Sequence, residues 1–510
     1  KKFLDGSIEK GTSQIMIAVA KKSGYMPRKQ MYAQIITSSL TVGMGGSAGL
    51  ESPITITGAA FGSNFAQNFR FNYKDRTLLL ACGVASGIAA AFNAPIAGVL
   101  FAIEVIIADM SVTAFIPLMI SSATGAIVSA VVLKESIILN FKSQFTFDYS
   151  NIGYYVLVGV AAGFFSIYHA RMFRKVEHFA SNLPFGTYRK ALIGASMLAV
   201  LIFLFPTLFG EGYESIKSLA NNNAADILEN SLLEKFRKNP WIVLAFVGLT
   251  AFIKSIATGL TLGSGGNGGN FAPSLFVGSY LGYMVAKFIE LIGLKKLPIE
   301  NFTVVGMAAV LSGLFHAPLT AIFLIAEITG GYGLMVPLLI VSSISFAISK
   351  RYDNYSMDIF TIADKGLVFT SDKDKNILNK IELHNIYSND AEVLTTDNSM
   401  YDVKNLFLTT SQTFIPIINE ERNVLGIIYL NDVRSILFNN YKLSSTFIET
   451  EMKPAFSVSL SENTGNALQL IDENNLSEIL VTQQDKLIGY VTKVKILEVY
   501  RENLKNLRIE

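Results

Sequence analysis

The chain has 510 residues, of which 51% are hydrophobic and only 16% are charged. Soluble chains carry about a quarter charged residues, so we expect most of this chain to lie in a lipid bilayer. The 42 Lys and Arg nearly cancel the 40 Asp and Glu. This balance leaves no basic footprint and argues against nucleic acid as a partner.

Cysteine and histidine usage excludes further classes of protein. The lone Cys82 excludes an intrachain disulfide framework and a cysteine-based zinc site. The four histidines are scattered and form no H-E-x-x-H motif, so an intramembrane zinc protease would lack its ligands. With no nucleophile and base recognisable as a pair, we expect no enzymatic activity, no metal site and no required cofactor.

Charge divides the chain near Lys350. Residues 1–350 hold 26 Lys and Arg and 17 Asp and Glu, whereas residues 351–510 hold 16 and 23. The net charges are therefore +9 and −7. We expect a membrane domain over 1–350, a linker over 351–383 and a soluble domain over 384–510.

Uncharged stretches recur along the first part. They are residues 30–50, 52–69, 78–103, 110–133, 149–170, 191–210, 239–253, 255–286, 301–326 and 328–349. Several can cross a bilayer, which takes about 20 residues, while others are broken by Gly and Pro. Non-helical backbone at membrane depth is tolerated only where it lines a cavity. The breaks therefore favour a channel or a transporter over an inert anchor.

Two Gly-rich breaks, residues 43–53 and 263–273, align with each other without gaps. The matched residues are Gly46 with Gly266, Gly49 with Gly269, Pro53 with Pro273, Gly58 with Gly278 and Gly62 with Gly282. A second matched pair follows, because residues 93–104 and 316–327 both run from an Ala-Pro start to a glutamate. We predict an α-helical, multi-pass domain built from two repeats with broken helices. The repeats are expected to be inverted, as is common in transporters.

Pro53 and Pro273 fall where a helix would start, at first-turn positions that need no N–H. The segments before them would present free N–H groups at the positive end of a helix dipole, which is an anion site. The repeats differ at Glu51, which aligns with Phe271. A carboxylate at membrane depth is usually functional, although a helix cap is the alternative. Because it can compete with an anion for the same N–H groups, we predict that Glu51 is a gate.

These segments resemble the CLC family of chloride channels and proton-coupled chloride exchangers. Residues 49–53 (GLESP) resemble the family's G-[KR]-E-G-P, and residues 269–273 (GNFAP) match G-x-F-x-P. Residues 92–104 (FNAPIAGVLFAIE) resemble its F-N-A-P-x-A-G-x-x-F-x-x-E stretch. The resemblance implies a homodimer in which each subunit has its own pore. It also implies that further membrane segments would precede Lys1.

The resemblance implies site residues by position. Glu51 would be the gating glutamate, and the backbone amides of Asn270 and Phe271 would cradle the central anion. The hydroxyl of Tyr355 would donate to the same anion, with an interfacial aromatic residue as the alternative.

Several positions depart from the family's motifs. The family's G-S-G-x-P motif is missing where residues 10–16 read KGTSQIM. Thr12 or Ser13 would supply the hydroxyl instead, or a backbone amide would substitute for it. The identity of the anion therefore stays open among chloride, nitrate and fluoride. Leu50 replaces the basic residue of the gating motif, and Ser52 replaces its second glycine.

Val105 stands where the family's exchangers usually carry the internal glutamate that accepts the proton. Valine can neither bind nor pass a proton, so Val105 favours a channel. Proton-coupled exchange remains the alternative, because some exchangers of the family also lack this glutamate. Glu104 and its repeat mate Glu327 are expected to cap or pair within the helix bundle rather than to act in transport.

The soluble part contains a second duplication. Residues 414–432 read as strand, turn, strand and helix start, and the order recurs from Ile479. This resembles a pair of CBS modules over about residues 384–440 and 449–505. In pairs that bind adenine nucleotides, an Asp after the second strand holds the ribose. Asp432 occupies that place in the first module and Lys495 in the second, so at most one nucleotide site is expected, and Asp432 could equally cap a helix.

The sequence thus predicts a chloride or small-anion channel in a bacterial inner membrane, gated by Glu51, with a cytoplasmic CBS pair. The excess of Lys and Arg in the membrane domain agrees with a cytoplasmic tail. A CBS-containing cation transporter is a weaker alternative. It would need acidic ligands in the spans, and apart from Glu51, Glu104 and Glu327 the spans offer almost none.

Overall fold

The computed structural model describes residues 11–106, 112–132, 147–363, 378 and 381–509. The chain separates into two compact units, Lys1–Val368 and Phe369–Glu510. Residues 364–377 of the predicted linker lie outside the described part.

The first unit is helical. Its α-helices are α1 (Ser13–Lys21), α2 (Gln30–Gly43), α3 (Glu51–Asn68), α4 (Tyr73–Phe92), α5 (Pro95–Phe101), α6 (Val112–Ile127), α7 (Ile152–Ser181), α8 (Thr187–Leu204), α9 (Tyr213–Ala220), α10 (Pro240–Gly263), α11 (Phe271–Leu291), α12 (Ile299–Phe315), α13 (Pro318–Ile328), α14 (Met335–Tyr352) and α15 (Met357–Ala363). Those long and apolar enough to cross a membrane include α4, α7, α8 and α10.

The duplication seen in the sequence is a two-fold relation in the structure. Gly49 and Gly269, which are repeat mates, donate N–H hydrogen bonds to each other's carbonyl oxygen, both at 2.9 Å. Thr41 Oγ1 accepts from the N–H of Asn267 at 3.0 Å, and its mate Thr261 Oγ1 accepts from the N–H of Ser47 at 3.1 Å. Such reciprocal contacts are the mark of a two-fold axis between the repeats.

Paired glycines let the helices of each repeat touch through their backbones. A Cβ on Gly62 of α3 would lie 2.0 Å from the carbonyl oxygen of Leu79 in α4. A Cβ on the mate Gly282 of α11 would lie 2.0 Å from the carbonyl oxygen of Phe302 in α12. Only a residue without a side chain allows this approach.

The second motif pair also folds in the same way in both repeats. Helices α4 and α12 are followed by Asn93 and His316, whose backbones are left-handed with φ of 51° and 54°, a common helix stop. Pro95 and Pro318 then begin α5 and α13. The predicted uncharged stretches 78–103 and 301–326 are therefore each two helices rather than one span.

Glu104 and Glu327 cap each other's repeat. Glu104 accepts hydrogen bonds from the N–H groups of Leu319 and Thr320 at 3.1 and 2.8 Å, at the start of α13. Glu327 accepts from the N–H groups of Ile96 and Ala97 at 3.0 and 2.8 Å, at the start of α5. These carboxylates satisfy N–H groups that a helix start leaves unpaired.

Lys254 corrects the predicted division of the second repeat. The sequence separates stretches 239–253 and 255–286 at this residue, but α10 runs through it to Gly263. The Lys254 side chain is fully buried, so the charge lies within a helix rather than at its end.

The second unit contains two similar three-stranded sheets. The strands are β1 (Leu394–Thr395), β2 (Phe414–Ile418), β3 (Val424–Tyr429), β4 (Ser457–Ser459), β5 (Glu478–Gln483) and β6 (Lys486–Thr492). In each sheet the first strand pairs parallel with the second, and the second pairs antiparallel with the third. Helices α16 (Met400–Thr409) and α20 (Thr464–Glu473) connect the parallel strands.

The remaining helices of this unit follow β3 and β6. They are α17 (Leu430–Leu437), α18 (Asn440–Ser445), α19 (Ile448–Glu451) and α21 (Lys493–Ile509). A shared apolar cluster, which includes Phe414 and Leu480, joins the two sheets.

Candidate anion site

Two helix N-termini meet where the repeats touch. Helices α3 and α11 begin at the repeat mates Glu51 and Phe271, two residues after the paired Gly49 and Gly269. The prolines stand in the first turn of each helix, as the sequence predicts. The paired glycines thus bring two positive helix ends together.

Glu51 lies across this junction with its side chain folded inward. The residue is 2% exposed, and its Oε2 accepts a hydrogen bond from the N–H of Ala272 at 3.3 Å. A Cβ on Gly49 would lie 2.2 Å from the same oxygen. The carboxylate therefore occupies an amide at the start of α11 that a bound anion could otherwise use.

The other predicted residues of α11 are buried beside the carboxylate. Asn270 is the residue before the helix and Phe271 is its first residue, 8% and 2% exposed. The Phe271 ring lies 5.7 Å from the rings of Phe92 and Phe315, centroid to centroid. These two phenylalanines precede Asn93 and His316, so both repeats supply the apolar wall at this amide end.

The structure distinguishes Thr12 from Ser13. Thr12 is 2% exposed, and its hydroxyl donates to Ser52 Oγ at 3.3 Å, next to Glu51. Ser13 is the buried first residue of α1. Tyr355 is half-buried between α14 and α15, and its contact with an anion stays a prediction.

A loop that the sequence analysis missed covers Glu51. Tyr213, the first residue of α9, is 6% exposed, and its hydroxyl donates to Glu51 Oε1. The carboxyl of the preceding Glu211 lies close to the backbone of Leu50. The nearby Lys254 donates from Nζ to the carbonyl oxygen of Gly210 at 3.2 Å.

Signals for these residues exist in the sequence. Glu211 lies between two glycines, and Lys254 is the only charge in residues 239–286. Nothing in the spacing, however, places a loop so distant along the chain against Glu51. Chain topology has to be known first.

Comparison with known proteins identifies the first unit. The profile described as "Voltage gated chloride channel" matches residues 1–350. The chain belongs to this family.

CLC relatives from bacteria carry names of both functional types. The chain is 28% identical to a ClcB-like chloride channel protein of Ralstonia nicotianae, over 65% of this chain and 74% of the relative. It is 30% identical to the H(+)/Cl(-) exchange transporter ClcA of Vibrio cholerae, over 59% of this chain and 62% of the relative. This chain thus spans less than two thirds of that exchanger.

CLC structures share the fold. A CLC-type fluoride/proton antiporter matches with a TM-score of 0.55 and 23% identity, over 68% of this chain and 82% of its own. A slow cyanobacterial Cl-/H+ antiporter matches with a TM-score of 0.58 and 22% identity, over 70% and 80%. The predicted fold class, a helical CLC membrane domain with broken helices, is confirmed.

The CBS prediction is also confirmed, since the profile described as "CBS domain" matches residues 383–439 and 449–502. Asp432 is the third residue of α17 rather than its N-cap, which is Tyr429. Its carboxylate pairs with Lys453 Nζ at 2.8 Å and is partly exposed. A role for Asp432 in holding a nucleotide stays a prediction.

Val105 and Glu104 lie in a π-helical turn, Ala102–Ile106, after α5. Val105 is 9% exposed. Glu104 accepts three hydrogen bonds at the start of α13, from two N–H groups and the Thr320 hydroxyl. The geometry agrees with the expected capping role of Glu104.

Proposed function

We propose that this CLC chain conducts chloride through a pathway within each subunit and that Glu51 gates that pathway. The observation that carries the proposal is the hydrogen bond from the Ala272 N–H to the Glu51 carboxylate. A carboxylate that occupies an amide at a helix N-terminus excludes an anion from it. When Glu51 is protonated or swings away, the amide end becomes available.

The residues around the gate support an anion as the substrate. Asn270 and Phe271 bring backbone amides to the junction, and Thr12 brings a hydroxyl next to it. We propose that these groups and Tyr355 hold the anion. The protein is proposed to act as a homodimer in a bacterial inner membrane, with its CBS pair in the cytoplasm.

The leading candidate is a channel, because Val105 offers no proton acceptor beside Glu104. Proton-coupled exchange is the second candidate, and Asp358 in α15 favours it. The Asp358 carboxyl lies beside Thr12, whose hydroxyl donates to Ser52 Oγ. Its Oδ2 is buried without a hydrogen-bond partner among the described residues. Thr12 thus stands between this second carboxylate and Ser52, the residue after Glu51.

Flux through sealed liposomes tests the gate. Purified protein is expected to release chloride at a rate that rises as the pH falls, because protonation frees Glu51. Glu51→Gln and Glu51→Ala should release chloride faster, by several-fold, and lose the pH dependence. Glu214→Gln is the matched control, since that side chain is 91% exposed. Absent flux, or flux unchanged by both Glu51 variants, would contradict the proposal.

The reversal potential separates the two candidates. Under a proton gradient at fixed chloride, a channel keeps the chloride reversal potential, while an exchanger shifts it. If the potential shifts, Asp358→Asn should abolish the shift while chloride flux continues.

A further inference from the structure

We propose that Tyr213 is a positioning residue that latches Glu51 in the closed state from the loop before α9. This inference rests on the proposed gating role of Glu51. The Tyr213 hydroxyl donates to Oε1 and the Ala272 N–H donates to Oε2. The two carboxylate oxygens are therefore held from two different helices, α9 and α11.

The loop that carries Tyr213 also lies against the backbone next to Glu51. The Glu211 carboxyl lies close to the backbone of Leu50, the residue immediately before Glu51. The loop thus lies against the backbone next to Glu51 and binds the Glu51 side chain through Tyr213. The gate can leave its position only when the side-chain contact breaks.

Two further contacts, both made by α10 and α11, hold the loop before α9 in place. Lys254 Nζ donates to the carbonyl oxygen of Gly210 at 3.2 Å and lies 4.7 Å from the centre of the Phe276 ring. Gly212 has φ of +89°, and a Cβ there would lie 2.4 Å from the Phe276 ring. The backbone therefore takes the left-handed form that glycine favours, which directs the first turn of α9 at the junction.

The chemistry of the latch predicts how it responds to protonation. A hydroxyl that donates to a carboxylate favours the charged form over the neutral one. Among the residues that the structure describes, the charged groups near Glu51 and its loop are Glu211 and Lys254. Loss of the Tyr213 hydroxyl weakens the closed, charged state and leaves these two groups in place.

Tyr213→Phe removes the donor and keeps the ring. Hydrogen bonds to charged groups are strong, so we expect the closed-to-open equilibrium to shift toward open by on the order of tenfold. In liposomes, chloride release should be faster at neutral pH, and the pH of half-maximal release should rise. Glu51→Gln, Tyr213→Phe and the double variant are measured together with the native protein.

A matched control separates the latch from general loosening of α9. Tyr280 of α11 is fully buried and stacks on Phe276 at 4.0 Å between ring centres. Tyr280→Phe removes a buried hydroxyl near the same loop, and it should leave the rate and pH profile unchanged.

The outcomes are distinguishable. A double variant that behaves like Glu51→Gln alone supports the latch, because Tyr213 then acts only through the carboxylate. A Tyr213→Phe profile equal to the native one, with Glu51→Gln still active, overturns the latch and leaves the gate intact. A full effect of Tyr213→Phe in the Glu51→Gln background also overturns it. If Glu51→Gln itself changes nothing, the proposed function fails and the latch fails with it.

Discussion

The two repeats of the membrane unit share a backbone and differ in the charges they place on it. Both start a helix two residues after a paired glycine, at Glu51 in one repeat and at Phe271 in the other. Both carry a fully buried polar residue in the preceding helix, Gln34 of α2 and Lys254 of α10. The duplication supplies two helix ends, and one of them carries a carboxylate that accepts a hydrogen bond from the Ala272 N–H at the other.

Gln34 and Lys254 show a second difference between the repeats, in the partners of their buried polar side chains. They are repeat mates in the same gapless alignment that pairs Gly49 with Gly269. Gln34 Oε1 accepts from Asn267 Nδ2 at 2.7 Å, which ties the first repeat to the Gly-rich segment of the second. Lys254 instead binds the loop that carries Tyr213. The neutral Gln34 strengthens the contact between the two repeats, and the charged Lys254 holds the loop that precedes α9.

The largest expected effect tests whether the close helix contacts at Gly62 and Gly282 are equivalent in the two repeats. Gly62→Ala and Gly282→Ala should each destabilise the protein by roughly 1–3 kcal/mol or more, because the added methyl meets backbone that cannot move aside. The two values should agree, since each Cβ would lie 2.0 Å from a carbonyl oxygen. Thermal unfolding in detergent measures both.

Gly153→Ala is the control for this pair. That glycine is the second residue of α7, with nothing within 4 Å of an added Cβ, so alanine should fit without a clash and stabilise the helix by less than about 1 kcal/mol. If Gly62→Ala or Gly282→Ala lowered the stability no more than Gly153→Ala does, the close helix contact inferred for that repeat would be contradicted.

A smaller effect distinguishes the two caps. Glu104→Ala and Glu327→Ala should each cost about 1–2 kcal/mol, the usual loss when a helix cap is removed. Glu104→Ala should cost more, because Glu104 accepts three hydrogen bonds and Glu327 two. Unfolding of both variants is compared with that of Glu214→Ala, an exposed glutamate. Losses no greater than that of Glu214→Ala would refute the reciprocal capping.

The smallest expected effect concerns a difference between the two CBS modules. Glu478 begins β5, where Phe414 begins β2, and it is 4% exposed. Burial raises the pKa of the Glu478 carboxyl above its usual 4.5. The folded form then holds its proton more tightly than the unfolded form, so this residue lowers stability as the pH rises above 4.5.

Glu478→Gln should therefore raise the melting temperature of the second unit at pH 7 and lose that advantage below pH 4.5. Scanning calorimetry at the two pH values measures the difference. An equal change at both would show that the residue acts through packing rather than through charge.

Much of this fold can be predicted from spacing, and the reason is repetition. The aligned glycines and prolines locate the starts of α3 and α11, and Glu51 is conspicuous because its mate is aromatic. The loop with Glu211 and Tyr213 carries no motif whose spacing points to Glu51. Lys254 leads to a wrong helix boundary, because a charge usually ends an apolar span. Here the Lys254 ammonium lies inside the protein and donates a hydrogen bond to the carbonyl oxygen of Gly210.

The reciprocal caps have a consequence for folding order. The start of α5 is completed by Glu327 and the start of α13 by Glu104, so each repeat lacks a helix cap until the other is present. The partners lie far apart in the chain, and contacts this distant form late. During synthesis the start of α5 therefore lacks the Glu327 carboxylate until the second repeat has been made.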